Sequence, residues 1–281
     1  MNAIVQWNVN GFNSRLPFLQ KLISDISPVI IALQETKLDA NQNVYLRNYK
    51  IYRKDRDGRG GGGVLLAIHN SIPNHEINID STLEFVACSV YFKNKRLNVA
   101  SIYIPSDLQL LNEDLEDVFN QLEGGKLILG DFNAKHDLWG SNINDNRGGI
   151  IADFILDNNI NVLNSGSPTY CRIQDDYFSH IDISLVSFDI FNNFSWETYD
   201  SLMDSDHYPI IIKYQCGNLY EKTNSRWILS KADWERYRDS VDIPKFNKEG
   251  SLENIKILSN DVTKTIIYAA TISVKKKIRE L

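Results

Sequence analysis

Short apolar runs recur along the first 216 residues, with the length and β-branched composition typical of strands. Two longer stretches, SRLPFLQKLISDI and DLQLLNEDLEDVFNQLEG, carry apolar residues at three- and four-residue spacing and predict helices. The nine strand-like runs are AIVQWNV, VIIALQE, GVLLAIH, FVACSVYF, RLNVASIYI, KLILGDF, INVLN, HIDISLVS and PIIIKYQ. Many are apolar on both faces, as in sheets that are covered on both sides. Because strands and helices interleave, the pattern predicts a layered α/β fold.

The pattern changes near residue 216, where GNLYEKTNSRWILSKADWERYRDS becomes polar and charged. We therefore expect one domain over residues 1–216 and a linker and helical tail over 217–281. Apolar residues at helical spacing predict the tail helix: Leu252, Ile255, Leu258, Val262 and Ile266. The closing VKKKIREL indicates a solvated helix end more readily than a contact with nucleic acid, and such an ending is typical of a fragment of a longer protein.

Polar side chains stand at the ends of several apolar runs. After KLILG come Asp131 and Asn133, which point to the same side because strand side chains alternate. The run AIVQW ends in the same way, with Asn8 and Asn10 two residues apart. Turns also favour Asp and Asn, but a repeated arrangement indicates a site.

Three further runs add acidic groups and a histidine. Glu35 directly follows VIIALQ, a run so apolar that burying an unpaired carboxylate beside it would cost free energy. Asp182 alternates with isoleucines in HIDISLVS, and Asp206 and His207 precede PIIIKYQ. Oxygen-rich side chains converging from strand ends predict a site for a hard cation such as Mg²⁺.

Composition and charge limit which classes of protein this chain can belong to. The 281 residues are 43% apolar, enough for a substantial core. A net charge of −6 argues against coating polyanions by bulk charge, but a bound cation can attract phosphate instead. No run approaches the roughly 18 apolar residues of a membrane helix, and MNAIVQWNVNG lacks a signal-peptide pattern. We expect an intracellular protein with no membrane partner.

The remaining reactive residues have structural interpretations. Cys88, Cys171 and Cys216 are three in number and lack CxxC spacing, which predicts reduced thiols. The scattered histidines disfavour zinc, and we expect structural or surface roles for four of them: His69, His75, His136 and His180. DGRGGGGVLL has no following GKS or GKT, so we expect a hairpin turn rather than a phosphate-binding loop.

Six motifs in order carry a family resemblance: WNVNG, LQETKL, IYIPS, GDFNAKH, HIDISL and SDHYPI, within residues 1–214. They resemble the endonuclease/exonuclease/phosphatase superfamily, which includes deoxyribonuclease I and the apurinic/apyrimidinic endonucleases. NAKHDLWGS and NRGGIIADFILDNNINVLNSGSPTY are similar to the endonuclease domain of non-LTR retrotransposons, and WILSKADWERYRDSV is similar to the segment leading to their reverse transcriptase. The resemblance implies a four-layer sandwich of two packed mixed β-sheets flanked by helices, as in deoxyribonuclease I.

The resemblance also implies a role for each matching residue. Glu35, with help from Asn8, would anchor Mg²⁺ or its substitute Mn²⁺ against the substrate phosphate, and Asn10 would assist there as a substrate-binding residue. Asp131, oriented by Asn133, would position and deprotonate the attacking water.

On the other side of the phosphate, His207, held by Asp182, would stabilise the charge of the transition state. Tyr103 in SIYIPS would lie near the scissile phosphate or the leaving oxygen, and Asp206 would complete the acidic lining as a second metal position. A histidine beside a carboxylate favours its protonated form, which suits stabilisation better than proton abstraction.

The implied function is a Mg²⁺-dependent endonuclease that nicks one strand of double-stranded DNA, leaving a 3' hydroxyl for target-primed reverse transcription. The partner would be a reverse transcriptase domain of the same polyprotein, and the site of action the nucleus. Two alternatives stay open: an abasic-site, inositol phosphate or phospholipid phosphoesterase of the same fold, and a non-catalytic DNA-docking module. Repair enzymes of the family generally carry Asp where this chain has Asn10, which weakens the abasic-repair interpretation.

Overall fold

All nine apolar runs of the sequence form strands in the computed structural model of the chain. The structure describes residues 2–215 except 59 and 94, and beyond them 225–227, 232–241, 262, 265, 266, 269, 273, 274 and 276–278. The chain divides into two compact units, residues 1–217 and 218–281. The assignment of 1–216 as an endonuclease domain and 217–281 as a linker and tail stays a prediction.

The first unit contains fourteen strands and three α-helices among its described residues. In its first half these are β1 (Asn2–Asn8), α1 (Phe12–Ile26), β2 (Ile30–Gln34), β3 (Tyr49–Lys54), β4 (Val64–His69), β5 (Asn74–Ile77), β6 (Glu84–Phe92) and β7 (Lys95–Tyr103). The second half contains α2 (Asn112–Asn120), β8 (Lys126–Asp131), α3 (Asn146–Asp157), β9 (Ile160–Val162), β10 (Tyr170–Arg172), β11 (Tyr177–Ser179), β12 (Asp182–Ser187), β13 (Phe194–Thr198) and β14 (Ile210–Tyr214).

Two mixed sheets of six strands each form the body of this unit. The first has the order β13-β14-β1-β2-β4-β3 and the second β5-β6-β7-β8-β12-β9. One central pair in each sheet is parallel, β1 with β2 and β7 with β8, while the other pairs are antiparallel. A two-stranded hairpin, β10 with β11, stands apart from both sheets.

Three hydrophobic clusters explain the layering. One joins residues of both sheets, such as Ile4 and Val99, and lies between them. Another packs the alternate face of the first sheet, including Val5, against Leu19 and Leu22 of α1. The third packs the second sheet against α2 and α3. The predicted four-layer α/β sandwich is therefore confirmed, because each sheet buries both of its faces.

Buried polar side chains cross between the two sheets within the apolar layer. Gln6 on β1 donates from Nε2 to Gly130 O at 3.0 Å, and its Oε1 accepts from Ser184 Oγ at 2.6 Å. Gln34 on β2 donates to Ser101 Oγ at 2.8 Å. Buried amides need such partners, and these contacts tie β1 and β2 to strands of the opposite sheet.

The glycine-rich segment connects β3 to its antiparallel neighbour β4, as the predicted hairpin turn. Gly63 has φ +85°, and a Cβ there would lie 2.6 Å from Thr36 Oγ1, so the turn requires glycine. Cys88 and Cys171 are buried free thiols, as predicted, and Cys216 lies outside the described residues.

In the second unit, β15 (Ser225–Trp227) pairs antiparallel with β16 (Lys276–Ile278), and α4 spans Trp234–Ser240. Leu252, Ile255 and Leu258 of the predicted tail helix lie outside the described residues, whereas Val262 and Ile266 are helical. The predicted helical end is wrong for residues 276–278, which form strand because they pair with β15. No helix in the described part of the chain is long and apolar enough to cross a membrane.

Candidate active site

All nine site residues that the sequence predicts lie together at one end of the strands of the two sheets. The parallel strands β1, β2, β7 and β8 end there, at or next to Asn8, Glu35, Tyr103 and Asp131. The antiparallel strands β12 and β14 begin at this end, so Asp182 and His207 lie there as well. Strand direction therefore explains how residues distant in sequence meet.

Three buried residues form the centre of the site: Asp131, Asp182 and His207. His207 Nδ1 lies 2.8 Å from Asp182 Oδ2, and its Nε2 lies 3.9 Å from Asp131 Oδ2. The exposed fraction is 1% for each aspartate and 4% for the histidine. The imidazole thus hydrogen-bonds one carboxylate and faces the other across a gap longer than a hydrogen bond.

Asp131 is held by donors from two segments. Its Oδ1 accepts from the Asn133 backbone N–H at 2.9 Å, and its Oδ2 accepts from Asn8 Nδ2 at 2.9 Å. Asn8 Nδ2 also donates to Glu35 Oε1 at 3.1 Å, and Asn133 Nδ2 donates to Ile104 O at 3.1 Å. Asn8 therefore links the two carboxylates, one from each sheet.

Burial and neighbouring charge shift both central pKa values. Desolvation, reinforced by the charge of Asp182, raises the pKa of Asp131 to about 7. Desolvation lowers the pKa of His207, but the charges of Asp182, Asp131 and Asp206 outweigh it and raise that pKa to about 10. At neutral pH the histidine is therefore cationic, and Asp131 can exchange a proton.

Tyr103 lies close to both Glu35 and Asp131. Its side chain is 8% exposed, its hydroxyl hydrogen-bonds Glu35, and the Arg56 guanidinium lies 5.6 Å from its ring centroid. Burial, then the charges of Glu35 and Asp131, raise the pKa of the phenol well above its usual range. The hydroxyl therefore remains protonated and can act as a hydrogen-bond donor.

Four residues form the rim of the site: Asn10, Glu35, Lys37 and Asp206. Asn10 donates from Nδ2 to Asp206 Oδ1 at 3.1 Å, and its Oδ1 accepts from Lys37 Nζ. Lys37 Nζ also lies 3.5 Å from Glu35 Oε2. Asp in place of Asn10 would set a second carboxylate against Asp206, so the amide removes a repulsion from the rim.

The donor set fits a divalent metal ion by its chemistry. Glu35 Oε2, on a side chain 21% exposed, has Lys37 as its charged neighbour. Asp182 Oδ1 is buried without a hydrogen-bond partner. Among the described residues, one group of three His, Cys, Asp or Glu side chains has ligand atoms within 4.8 Å of one another, and it is the centre itself. A protonated His207 has no lone pair for a metal, so the oxygens are the donors that fit.

The predicted ligands Glu35, Asn8 and Asp206 do not meet as one compact cluster. Glu35 and Asn8 hydrogen-bond each other, but Asp206 Oδ1 is engaged by Asn10. The roles of these residues and of the other predicted site residues stay predictions.

Sequence reasoning missed several residues around the centre. Thr169 is fully buried, and its Oγ1 accepts from the backbone N–H groups of Ile181 and Asp182. The Tyr170 ring packs edge-on against His207 at 5.0 Å. Both stand in the segment SGSPTY, and Lys37 follows Glu35 in LQETKL, so strand-end proximity was the available signal.

The predicted structural histidines lie away from the centre. His136 Nδ1 accepts from the Leu138 N–H at 3.1 Å and lies 2.7 Å from Asp137 Oδ1. His180 hydrogen-bonds Gly166 O, His69 hydrogen-bonds Ser71, and the His75 ring packs against Tyr91.

Relatives at the level of sequence come from mobile elements. A family model described as endonuclease-reverse transcriptase matches residues 97–211. A probable RNA-directed DNA polymerase from transposon X-element of Drosophila melanogaster is 23% identical over 250 residues, or 85% of this chain and 27% of that polymerase. The RNA-directed DNA polymerase from mobile element jockey of the same species is 26% identical over 247 residues, or 84% of this chain and 26% of its own length. The chain thus spans about a quarter of either relative.

A solved structure agrees on the fold. The endonuclease domain of TRAS1, a telomere-specific non-LTR retrotransposon, superposes with a TM-score of 0.64 at 17% identity, covering 76% of this chain and 99% of that chain. The match to this family model, these relatives and the shared fold agree with the resemblance to the endonuclease/exonuclease/phosphatase superfamily and to the endonuclease domains of non-LTR retrotransposons.

Proposed function

We propose that this chain is a Mg²⁺-dependent endonuclease that nicks one strand of double-stranded DNA and leaves a 3' hydroxyl. The observation that carries the proposal is the buried centre: a carboxylate with a pKa of about 7 lies 3.9 Å from a buried imidazolium. In-line attack on a phosphodiester requires a base for the attacking water and a fixed cation for the charge on the phosphoryl oxygens, and these two groups have that chemistry.

The residues divide the reaction between them. Asp131 accepts a proton from water as the water oxygen bonds to phosphorus, and the bond from phosphorus to the 3' oxygen breaks. The departing oxygen takes up a proton from solvent and becomes the 3' hydroxyl, while the 5' side keeps the phosphate, and Asp131 returns its proton to solvent. His207, held by Asp182, donates a charge-assisted hydrogen bond to a phosphoryl oxygen, whose negative charge grows in the transition state.

Two further residues orient these groups. Asn8 fixes the carboxylates of Asp131 and Glu35 relative to each other, and Tyr103 supplies a protonated hydroxyl beside them. Mg²⁺, or Mn²⁺ in its place, would be held by Glu35 and its neighbouring oxygens and would neutralise phosphate charge when bound. Asp206 is the proposed second acidic position on the rim.

The relatives support the wider setting. Both curated relatives are named as RNA-directed DNA polymerases and extend far beyond the region matched here. We infer that the nick supplies the primer for a reverse transcriptase domain of the same polyprotein, which would place the reaction at chromosomal DNA in the nucleus.

A plasmid assay tests the proposal. The purified chain is incubated with supercoiled plasmid and Mg²⁺, and we expect conversion to open circles, loss of nicking with EDTA, and restoration by excess Mg²⁺. DNA polymerase extension of the nicked product then tests for the 3' hydroxyl. Failure to nick, or nicks that a polymerase cannot extend, would contradict the proposal.

Parallel substrates separate the alternatives. Duplex DNA with one abasic analogue, an inositol polyphosphate and sphingomyelin vesicles are offered at equal phosphate concentration. Faster turnover of any of these would assign the site to that substrate class instead. Plasmid retention without cleavage of any substrate would indicate a DNA-docking module.

A further inference from the structure

The first turn of α3 is built against the segment that carries Asp131. The Asp145 backbone N–H donates to Lys135 O at 3.0 Å, and the Asp145 carboxylate caps the helix by accepting from the Gly148 N–H at 2.6 Å. A Cβ on Gly148 would lie 2.0 Å from Lys135 O, so a larger residue would push the helix away. The start of α3 is therefore fixed close to the loop that follows β8.

From this turn, the Arg147 guanidinium reaches four backbone carbonyls in two loops. Nη1 donates to Phe132 O and Asn133 O, each at 3.3 Å. Nη2 donates to Ser106 O at 3.1 Å and to Leu108 O at 2.5 Å. One planar fork thus joins the loop after Asp131 to the loop after Tyr103, an arrangement that a lysine ammonium cannot reproduce.

One of these carbonyls belongs to a peptide group that touches the centre. Phe132 C=O and Asn133 N–H are the two ends of a single planar peptide. Arg147 holds its oxygen end, and its N–H end donates to Asp131 Oδ1 at 2.9 Å. A charged donor on the carbonyl strengthens the N–H at the other end, because hydrogen bonds in series polarise one another.

The backbone conformation at Asn133 adds to the need for support. Its φ is +47°, in the left-handed region that non-glycine residues enter at a cost. Arg147 binds the carbonyls on both sides of this residue, and the Asn133 side chain donates to Ile104 O at 3.1 Å. These contacts hold Asn133 in its left-handed conformation and so fix the turn that orients the Asp131 carboxylate.

We propose that Arg147 is a positioning residue of the active site. Its guanidinium fixes the Phe132–Asn133 peptide, so that the Asp131 carboxylate keeps its direction towards His207, and it fixes the loop after Tyr103 at the same time. This inference rests on the proposed function, since it concerns the same reaction.

The test compares Arg147→Ala and Arg147→Lys with the wild-type chain in steady-state nicking with Mg²⁺. Small displacements of reacting groups reduce turnover steeply, so we expect kcat of Arg147→Ala to fall about 10²-fold while KM for DNA stays within about twofold. Arg147→Lys keeps the charge but not the planar fork, and its kcat should regain less than a tenth of what Arg147→Ala loses. Added guanidinium, at roughly 10 mM, should restore part of the kcat of Arg147→Ala by occupying the vacated space.

Arg96→Ala is the matched control. Arg96 stands at the opposite end of β7 from Tyr103, and its Nε bonds the side chains of Ser89 and Asn98, so its loss should leave kcat unchanged. An unimpaired Arg147→Ala, an equal loss in Arg96→Ala, or a loss that guanidinium does not restore would each overturn the inference. A wild-type chain that does not nick would overturn the proposed function, and this inference with it.

Discussion

Side chains at the centre of the site are at most 5% exposed, whereas Lys37 on the rim is 39% exposed and Glu35 is 21% exposed. Water and salt screen the rim charges, but they hardly reach Asp131, Asp182 and His207. The centre therefore holds large, fixed electrostatic effects, as its shifted pKa values show. The rim holds weaker pairs that can exchange partners, as entry of the proposed cation and DNA would require.

The largest effect should come from Asp131→Asn. The amide has the size of the carboxylate but takes up no proton at neutral pH, so we expect the plasmid-nicking rate to fall about 10³-fold. Thermal melting and circular dichroism, measured in parallel, check that the variant is folded. His136→Ala, outside the centre, should keep the wild-type rate. Equal rates for both variants would remove Asp131 from the chemistry.

Asp182→Asn tests whether the charge of Asp182 keeps His207 protonated. The charge of Asp182 raises the pKa of His207, so its loss should return that pKa from about 10 towards 6.5. We expect a rate loss of about 10²-fold at pH 8, with the alkaline limb of the pH–rate profile moved to lower pH. A profile whose alkaline limb does not move would show that His207 is protonated for another reason.

The same shift predicts a pH dependence of stability. The pKa of His207 is higher in the fold than its ordinary 6.5, so the stabilisation is full below pH 6.5 and is lost as pH rises through about 10. The pKa of Asp131 is also raised, so its protonated form stabilises the fold at low pH, and this stabilisation is lost as the pH rises from 3.8 to about 7.

We therefore expect the Tm of the wild-type chain to fall by roughly 5 °C between pH 7 and pH 10. The fall should be much smaller in His207→Gln, which cannot bind the proton. Thermal scans of both chains in matched ionic strength check this, and parallel curves for the two would refute it.

The smallest effect belongs to the rim. Lys37 competes with a cation for Glu35, 3.5 Å away. Because partly exposed pairs are weak, Lys37→Met should lower the Mg²⁺ concentration for half-maximal nicking by no more than about fivefold. Lys21→Met, which removes an exposed lysine paired with Asp25 on α1, should leave it unchanged. A rim effect as large as that of Asp182→Asn would erase the contrast between rim and centre.

Apolar patterning predicted all eight central strands of the two sheets but only one of the four edge strands, β9. Strands β3, β5 and β13 lie at edges and escaped the pattern, because segments such as YKIYRK and NHEI mix exposed and half-buried positions. The hairpin β10 with β11 was missed for the same reason, since Phe178 within β11 and Ile173 directly after β10 are exposed. A strand covered on one face or none leaves little hydrophobic signal.

At the site, the sequence revealed side chains whose chemistry is unusual for their position, such as Glu35 after an apolar run. It did not reveal Arg147, because that residue acts on backbone carbonyls, which every residue carries. It also could not show that Asn8 bridges Asp131 and Glu35, since this contact depends on how the two sheets face each other.

The glutamine amides between the sheets have a consequence for redesign. Apolar contacts do not oppose sliding of one sheet over the other, whereas the hydrogen bonds that Gln6 donates to Gly130 O and accepts from Ser184 Oγ have direction and length. Gly130 immediately precedes Asp131, and Ser184 is two residues beyond Asp182. A sandwich repacked with purely apolar residues could keep its fold and still lose the alignment of its two halves, so a transplanted site would need its glutamines as much as its acids.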